Sequence, residues 1–371
     1  MIDTVILTIP AKDVQMLDDE VFDVQPWNLQ AKTDSYQKYV KNPTVKALKS
    51  GLYFPRLTGY NRNDVLTEAV KIEFSVPKLL YLNNLDELEE KQFPEVVTVL
   101  QDRLKKMGVM ATYDTLANAP ITTVHYSKNI ELLDGFTSQY VIGELGKINL
   151  NKRFDLTKAR YMNDGQSLTA FSVTNSFVIY DKIADLNKDK KRAIDKEQSP
   201  YQLSLFARLS PIKEIVRFEV RLCKKQKIVA LFKQLGFIDE LTFKNVFSVA
   251  KSSAVLKHYW ARMVEGSGLL LFARSSSAKD LLKQIHLARP AARSKTAIYL
   301  VGLLCLAREG DGLRELRAVL EKRNNPRSWY RTINDLKTLS SELENLKLRE
   351  WFNQIKGQLE RYVPIRITSK I

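Results

Sequence analysis

Ser176-Phe177-Val178-Ile179-Tyr180-Asp181-Lys182 is a β-branched run that closes on a tyrosine, a carboxylate and an ammonium, a composition that predicts a strand. Downstream, Ile215-Val216-Arg217-Phe218-Glu219-Val220-Arg221-Leu222 alternates polar and apolar residues. Arg217, Glu219 and Arg221 therefore share one face of a second strand, with Val216, Phe218 and Val220 on the other. Polar side chains on one face of a strand are usually just solvated. Here a carboxylate stands between two guanidiniums, and even partial cover would hold it ionised and oriented, as a metal or phosphate site needs.

Around this pair the N-terminal part reads as strands mixed with helices. Residues 2–9 form an opening strand ended by Pro10, and residues 51–58 and 69–76 two more, joined by a turn over residues 59–64. Residues 77–82 lead through Asn83-Asn84 to a helix for which Asp86 is the expected N-cap. An amphipathic helix over 93–107 stops at Gly108, a strand over 121–128 carries His125, and a helix spans 136–146. Residues 168–173 and 177–180 predict a hairpin, and the charge-dense stretch 187–198 a solvated excursion. Strands and helices without a long βαβ series predict an α+β fold built on an antiparallel sheet.

After Cys223 the pattern turns helical to the end, and the length of 371 residues favours two domains, placed at 1–235 and 236–371. Residues 296–306, the Gly310/Gly312 turn, residues 313–321 and the segment opening at Pro326 predict three short helices, a helix-turn-helix or winged-helix-like unit. In the last of them Arg327 and Arg331 are candidate DNA contacts, and Trp329 and Leu336 core residues.

Charge narrows the class. The chain carries 58 Lys plus Arg against 42 Asp plus Glu, a formal +16. From Gly236 onward 24 basic residues face 13 acidic ones, so +11 of the excess lies in the last third. A regional basic surplus is the footprint of a polyanion-binding domain, most often nucleic acid. No apolar run reaches the ~18 residues of a membrane span. Cys223 and Cys305 form no CxxC pair, which with the absence of a secretory signal fits a cytoplasmic protein. Three histidines in all argue against a zinc site of Cys/His type. No GxxxxGK[ST] phosphate loop occurs, so the chain is not expected to unwind DNA with ATP.

His125, with Asp181 and Glu219 on neighbouring strands, completes a candidate His/carboxylate site for a hard divalent ion, Mg²⁺ or Mn²⁺. Such an ion polarises a scissile phosphate while a tyrosine attacks it. Blocks in the same order, Met1 to Pro10, Phe74 to Asn84, Thr123-Val124-His125-Tyr126, Val178 to Lys182 and Val216 to Leu222, make the chain resemble the phage and plasmid replication initiators typified by the gene II proteins of filamentous phages. The resemblance covers residues 1–223 in blocks; beyond them it is loose, mainly at Ser328-Trp329-Tyr330-Arg331. It implies a rolling-circle initiator that nicks one strand of double-stranded origin DNA, stays on the 5′ phosphate through tyrosine, and rejoins the displaced single strand. Carried onto these residues, it makes Tyr180 the nucleophile, Lys182 the partner of phosphate or phenolate charge, and Glu219 a metal ligand. Tyr201 is the second candidate nucleophile. Arg217 and Arg221 are candidate DNA contacts. A host helicase and a single-strand-binding protein are the expected partners. Two rivals stand beside this reading: a conjugative relaxase that nicks a transfer origin, and a non-catalytic DNA-binding regulator.

Overall fold

Pairing between neighbouring strands assembles one large antiparallel sheet. The structure, a computed structural model, describes residues 1–17, 29–32, 37–43, 50–62, 65–66, 69–148, 158–162, 165–186, 213–267, 269–274, 277–321, 326–343 and 347–366. The sheet's strands in chain order are β1 (Ile2–Pro10), β2 (Leu29–Lys32), β3 (Gln37–Lys41), β4 (Arg56–Arg62), β5 (Val65–Leu66), β6 (Ala69–Ser75), β7 (Ile121–Leu132), β8 (Lys158–Met162), β9 (Ser167–Phe171), β10 (Asn175–Asp181) and β11 (Glu214–Leu222). Across the sheet they run β8-β9-β10-β11-β7-β1-β6-β4-β3-β2, with β5 paired to β4. The two decisive runs of sequence, β10 and β11, are neighbours near its middle, and β7 follows β11.

Helices α1 (Val76–Tyr81), α2 (Phe93–Lys106), α3 (Tyr113–Ala117), α4 (Ser138–Gly146) and α5 (Lys182–Leu186) are threaded between strands. The chain then becomes helical: α6 (Lys225–Gln234), α7 (Phe243–Val246), α8 (Val249–Met263), α9 (Ala278–Ala288), α10 (Ser294–Arg308), α11 (Leu313–Glu321), α12 (Pro326–Glu342) and α13 (Glu350–Arg361). The α+β reading is correct.

β11 is buried on both faces, which a strand at a sheet edge is not. On one face Val216, Phe218 and Val220 lie in the main core with Phe177 and Ile179 of β10. Phe218 meets Trp260 of α8 edge-on at 5.4 Å, and Trp260 meets Phe352 of α13 at 5.2 Å. Each such fully buried side chain contributes about 1.5–3 kcal/mol. On the other face Ile215 joins Leu85 and Leu186 in a small second cluster, and the polar residues follow along the strand.

One cluster of buried hydrophobic residues runs from Met1 to Tyr362, with members on both sides of residue 235. α13 returns to β7: the Gln358 amide donates to Glu131 O (2.8 Å) and accepts from Glu131 N (3.1 Å). Beyond it, Val363 O accepts from Lys128 Nζ at 2.9 Å and Ile365 exchanges bonds with Glu87 at 2.9 and 3.0 Å. α10, α11 and α12 pack on one another as a three-helix unit, with Trp329 and Leu336 buried as expected of core residues. Gly312 sets this unit against the end of α4: its φ is +64°, and a Cβ there would stand 2.5 Å from the Lys147 side chain.

Local expectations failed where a distant partner decided the outcome. The expected turn at 59–64 is largely strand, because Gly59 and Tyr60 pair with Tyr39 and Lys38 of β3. Asp86 caps no helix: it is buried in a turn whose amides at Leu85 and Asp86 donate to Asn83 Oδ1, and the capping box forms instead between Glu89 and Gln92.

Candidate active site

The period-two pattern of β11 is repeated on its neighbours, and pairing turns three rows into a grid. Tyr180 stands opposite Arg217, which stands opposite Asn129; Glu219 is opposite Ser127, and Arg221 opposite His125. The polar face therefore gathers residues from β10, β11 and β7, and β1 adds Asp3.

Glu219 is the centre of the cluster. It is buried, and Arg221 Nε donates to its Oε1 at 2.8 Å. His125 Nδ1 lies 3.4 Å from the same oxygen, and the Tyr180 hydroxyl donates to Oε2 at 3.2 Å. Burial alone would raise the Glu219 pKa, but Arg221 and His125 outweigh it and hold the carboxyl well below its usual range. Tyr180 is pushed the other way: burial, then the Glu219 charge, raise its phenol well above the ordinary value. Burial works to lower His125, yet its bonds to Cys223 and Glu219 and the Glu219 charge prevail and bring it to about 9. At neutral pH the cluster is an imidazolium and a guanidinium on a carboxylate, with the proton on the phenol.

Arg217, expected to touch DNA, does not reach solvent. It is 1% exposed, and its guanidinium donates to Asn129 Oδ1 (2.7 Å), Asp3 Oδ1 (3.1 Å) and Asn84 O. Three separate segments consume its donors, so it is a structural cation beneath Tyr180. Arg221 differs: its side chain is 42% exposed while its Nε stays on Glu219. Lys182 is fully buried in the first turn of α5, 5.7 Å from the centre of the Tyr180 ring and 3.7 Å from Asp185.

Asp181 does not join His125 and Glu219. It pairs with Val216 and so belongs to the opposite face, where its Oδ1 accepts from Ala184 N at 2.9 Å and starts α5. Tyr201 lies outside the described residues, as does the charged excursion before it. Arg331 is exposed on α12; Arg327 stands in that helix's first turn, its side chain outside the described part. The residues not anticipated are Asp3, Ser127, Asn129 and Cys223. Ser127 and Asn129 had a signal, since they continue the period of two from His125.

The donor set does not fit a hard divalent ion as arranged. Glu219 already receives three donors, His125 is held protonated, and Asp181 is on the wrong face. Among the described residues no three His, Cys, Asp or Glu side chains converge as a metal group. What the arrangement offers chemically is a phenol bonded to a carboxylate, with a partly exposed arginine at the rim.

Fold and site thus define an α+β protein with a tyrosine–carboxylate–arginine cluster, its carboxylate buried, on the polar face of its middle strands. No family model matches the chain, and no curated protein does. Among solved structures it is similar to one described as a rolling circle replication initiator protein from Geobacillus stearothermophilus, at 12% identity over 62% of this chain and 77% of that one, with a TM-score of 0.28. A likeness at that score assigns neither a fold family nor a chemistry. No described helix is long and apolar enough to cross a membrane.

Proposed function

We propose that the protein is a rolling-circle replication initiator that nicks and rejoins one strand of origin DNA through Tyr180. The observation that carries the reading is the 3.2 Å hydrogen bond from the Tyr180 hydroxyl to a Glu219 that is also gripped by Arg221. A nucleophile bonded to a base, with that base oriented by a third group, is the arrangement covalent catalysis requires.

At rest the proton stays on the phenol, because Glu219 is a weak base while two cations neutralise it. A bound phosphodiester changes that balance. Arg221, at the rim, turns from Glu219 to the scissile phosphate, which neutralises phosphate charge and makes the carboxylate more basic. Tyr180 Oη then attacks phosphorus as its proton passes to Glu219. The bond from phosphorus to O3′ breaks, the 3′ oxygen leaves as a hydroxyl with a proton from solvent, and a 5′-phosphotyrosine remains. Rejoining is the reverse: the 3′ hydroxyl attacks the phosphotyrosine and gives its proton to solvent, the bond from phosphorus to Tyr180 Oη breaks, and Glu219 returns its proton to the phenolate. Lys182 stabilises that phenolate from below. Double-stranded origin DNA and the displaced single strand are the substrates, with a host helicase and a single-strand-binding protein as partners.

The saturation of Glu219 by three donors also suits the rival reading, a DNA-binding regulator without the reaction. Supercoiled plasmid carrying the protein's own origin, incubated with Mn²⁺, with Mg²⁺ and with a chelator, separates the two. Relaxation with a denaturant-stable protein–DNA adduct, lost in Tyr180→Phe, supports the enzyme. Tight binding with no adduct under any of the three conditions supports the regulator.

A further inference from the structure

We infer that the outward face of α10 seats a second copy of this chain, the two helices lying antiparallel with Gly302 against Gly302. α10 carries no charged residue between Lys295 and Arg308. One side of it, with Ala297, Leu300, Leu303, Leu304 and Ala307, is buried where α9, α11 and α12 pack. The other side is equally apolar and lies open. Ile298 is 62% exposed, Tyr299 46% and Leu306 55%, with Gly302 exposed between them. A helix that is apolar all round belongs in an interior, and in the single chain this one is only half covered.

Gly302 points to what covers the rest. Glycine weakens the middle of a helix. The single chain has no use for it here, since a Cβ at 302 would meet nothing within 4 Å. What a missing side chain permits is the close approach of another backbone. On a two-fold axis through Gly302, each residue of one copy faces the residue of the other that is equally far beyond the glycine. Ile298 then meets Leu306, and Lys295 meets Glu309. Lys295 and Glu309 are exposed, and neither has an ion-pair partner among the described residues. Parallel helices would set lysine against lysine and glutamate against glutamate, so the charges select the antiparallel arrangement.

The face is formed before the second copy arrives, because the Tyr299 hydroxyl is held by Asp335 Oδ2 of α12 at 3.3 Å. Two helices of 15 residues, each about 22 Å long, bury less than the ~1,200 Å² of a standard interface. The dimer is therefore weak and dependent on concentration.

Sedimentation of the DNA-free full chain, from sub-micromolar to high-micromolar concentration, tests this, and a reversible monomer–dimer equilibrium is expected. Ile298→Lys with Leu306→Lys sets four ammonium groups in the contact and should weaken it ~100-fold or more. Lys295→Glu and Glu309→Lys each bring like charges together twice and should weaken it ~3–30-fold. Combined in one chain, those two changes exchange the charges and should restore association to near the wild-type level. These positions are exposed, so melting of the dilute protein is expected to stay the same. Should the double-lysine variant melt early, Gly302→Leu, which has open space in the single chain and blocks the crossing, must abolish the dimer instead. A chain that stays monomeric at every concentration overturns the inference. So does a dimer indifferent to these variants, or charge variants whose losses add rather than cancel. Monomeric protein that binds phosphatidylcholine vesicles, and releases them with Ile298→Lys and Leu306→Lys, assigns the face to lipid and overturns it as well.

Discussion

Glu219 concentrates the site's chemistry in one carboxylate. Glu219→Gln removes the proton acceptor and is expected to slow adduct formation ~10²–10⁴-fold in a single-turnover assay. Arg217→Ala strips a buried cation from Asp3 and Asn129, and is expected to cost about 3–5 kcal/mol in denaturant unfolding without touching DNA. His125 makes stability depend on pH. Its folded pKa of about 9 lies above the ordinary 6.5, so its contribution is complete below 6.5 and fades as pH rises through 9. Between those values the wild type should lose roughly 2–3 kcal/mol that a His125→Gln variant never had, measured by urea unfolding at each pH. Much at this scale was legible. Strand alternation alone put Arg217, Glu219 and Arg221 on one face, and it also placed Asp181 opposite Tyr180, so adding Asp181 to the metal set ignored a signal already present. The burial of Arg217 was not legible, because Asp3, Asn84 and Asn129 are remote from it in sequence and from each other.

The strands and helices were read best where periodicity is long and self-contained. α2 matches the expected span, and α12 opens at Pro326 as expected, because an amphipathic stripe needs only its own residues. β4 was misplaced because its far end is stabilised by pairing with β3, a contact no local pattern encodes. Among the connections, the glycine turn before α11 is the most constrained. Gly312→Ala must adopt φ +64° and displace Lys147, and is expected to destabilise the fold by ~1–3 kcal/mol. Calorimetry checks it; Gly302→Ala, with open space around its Cβ, should leave the melting temperature the same or higher.

For the molecule as a whole, the basic excess of the composition predicts binding to a polyanion. The +11 of the last third suggested a separate DNA-binding domain, whereas α13 buries Trp351, Phe352, Ile355 and Leu359 in the same core as the sheet. A chain ending at residue 235 should therefore lack a cooperative thermal transition, while the full chain shows one; a sharply melting, monomeric fragment would mean that two cores exist after all. The central claim is that a phenol at the end of β10 carries the broken strand. Trapping the protein on an origin oligonucleotide, digesting both polymers and sequencing the nucleotide-bearing peptide by mass spectrometry tests it directly. The account requires the nucleotide on Tyr180; its recovery on any other tyrosine, Tyr201 included, or its absence from protein that has bound the DNA, contradicts it.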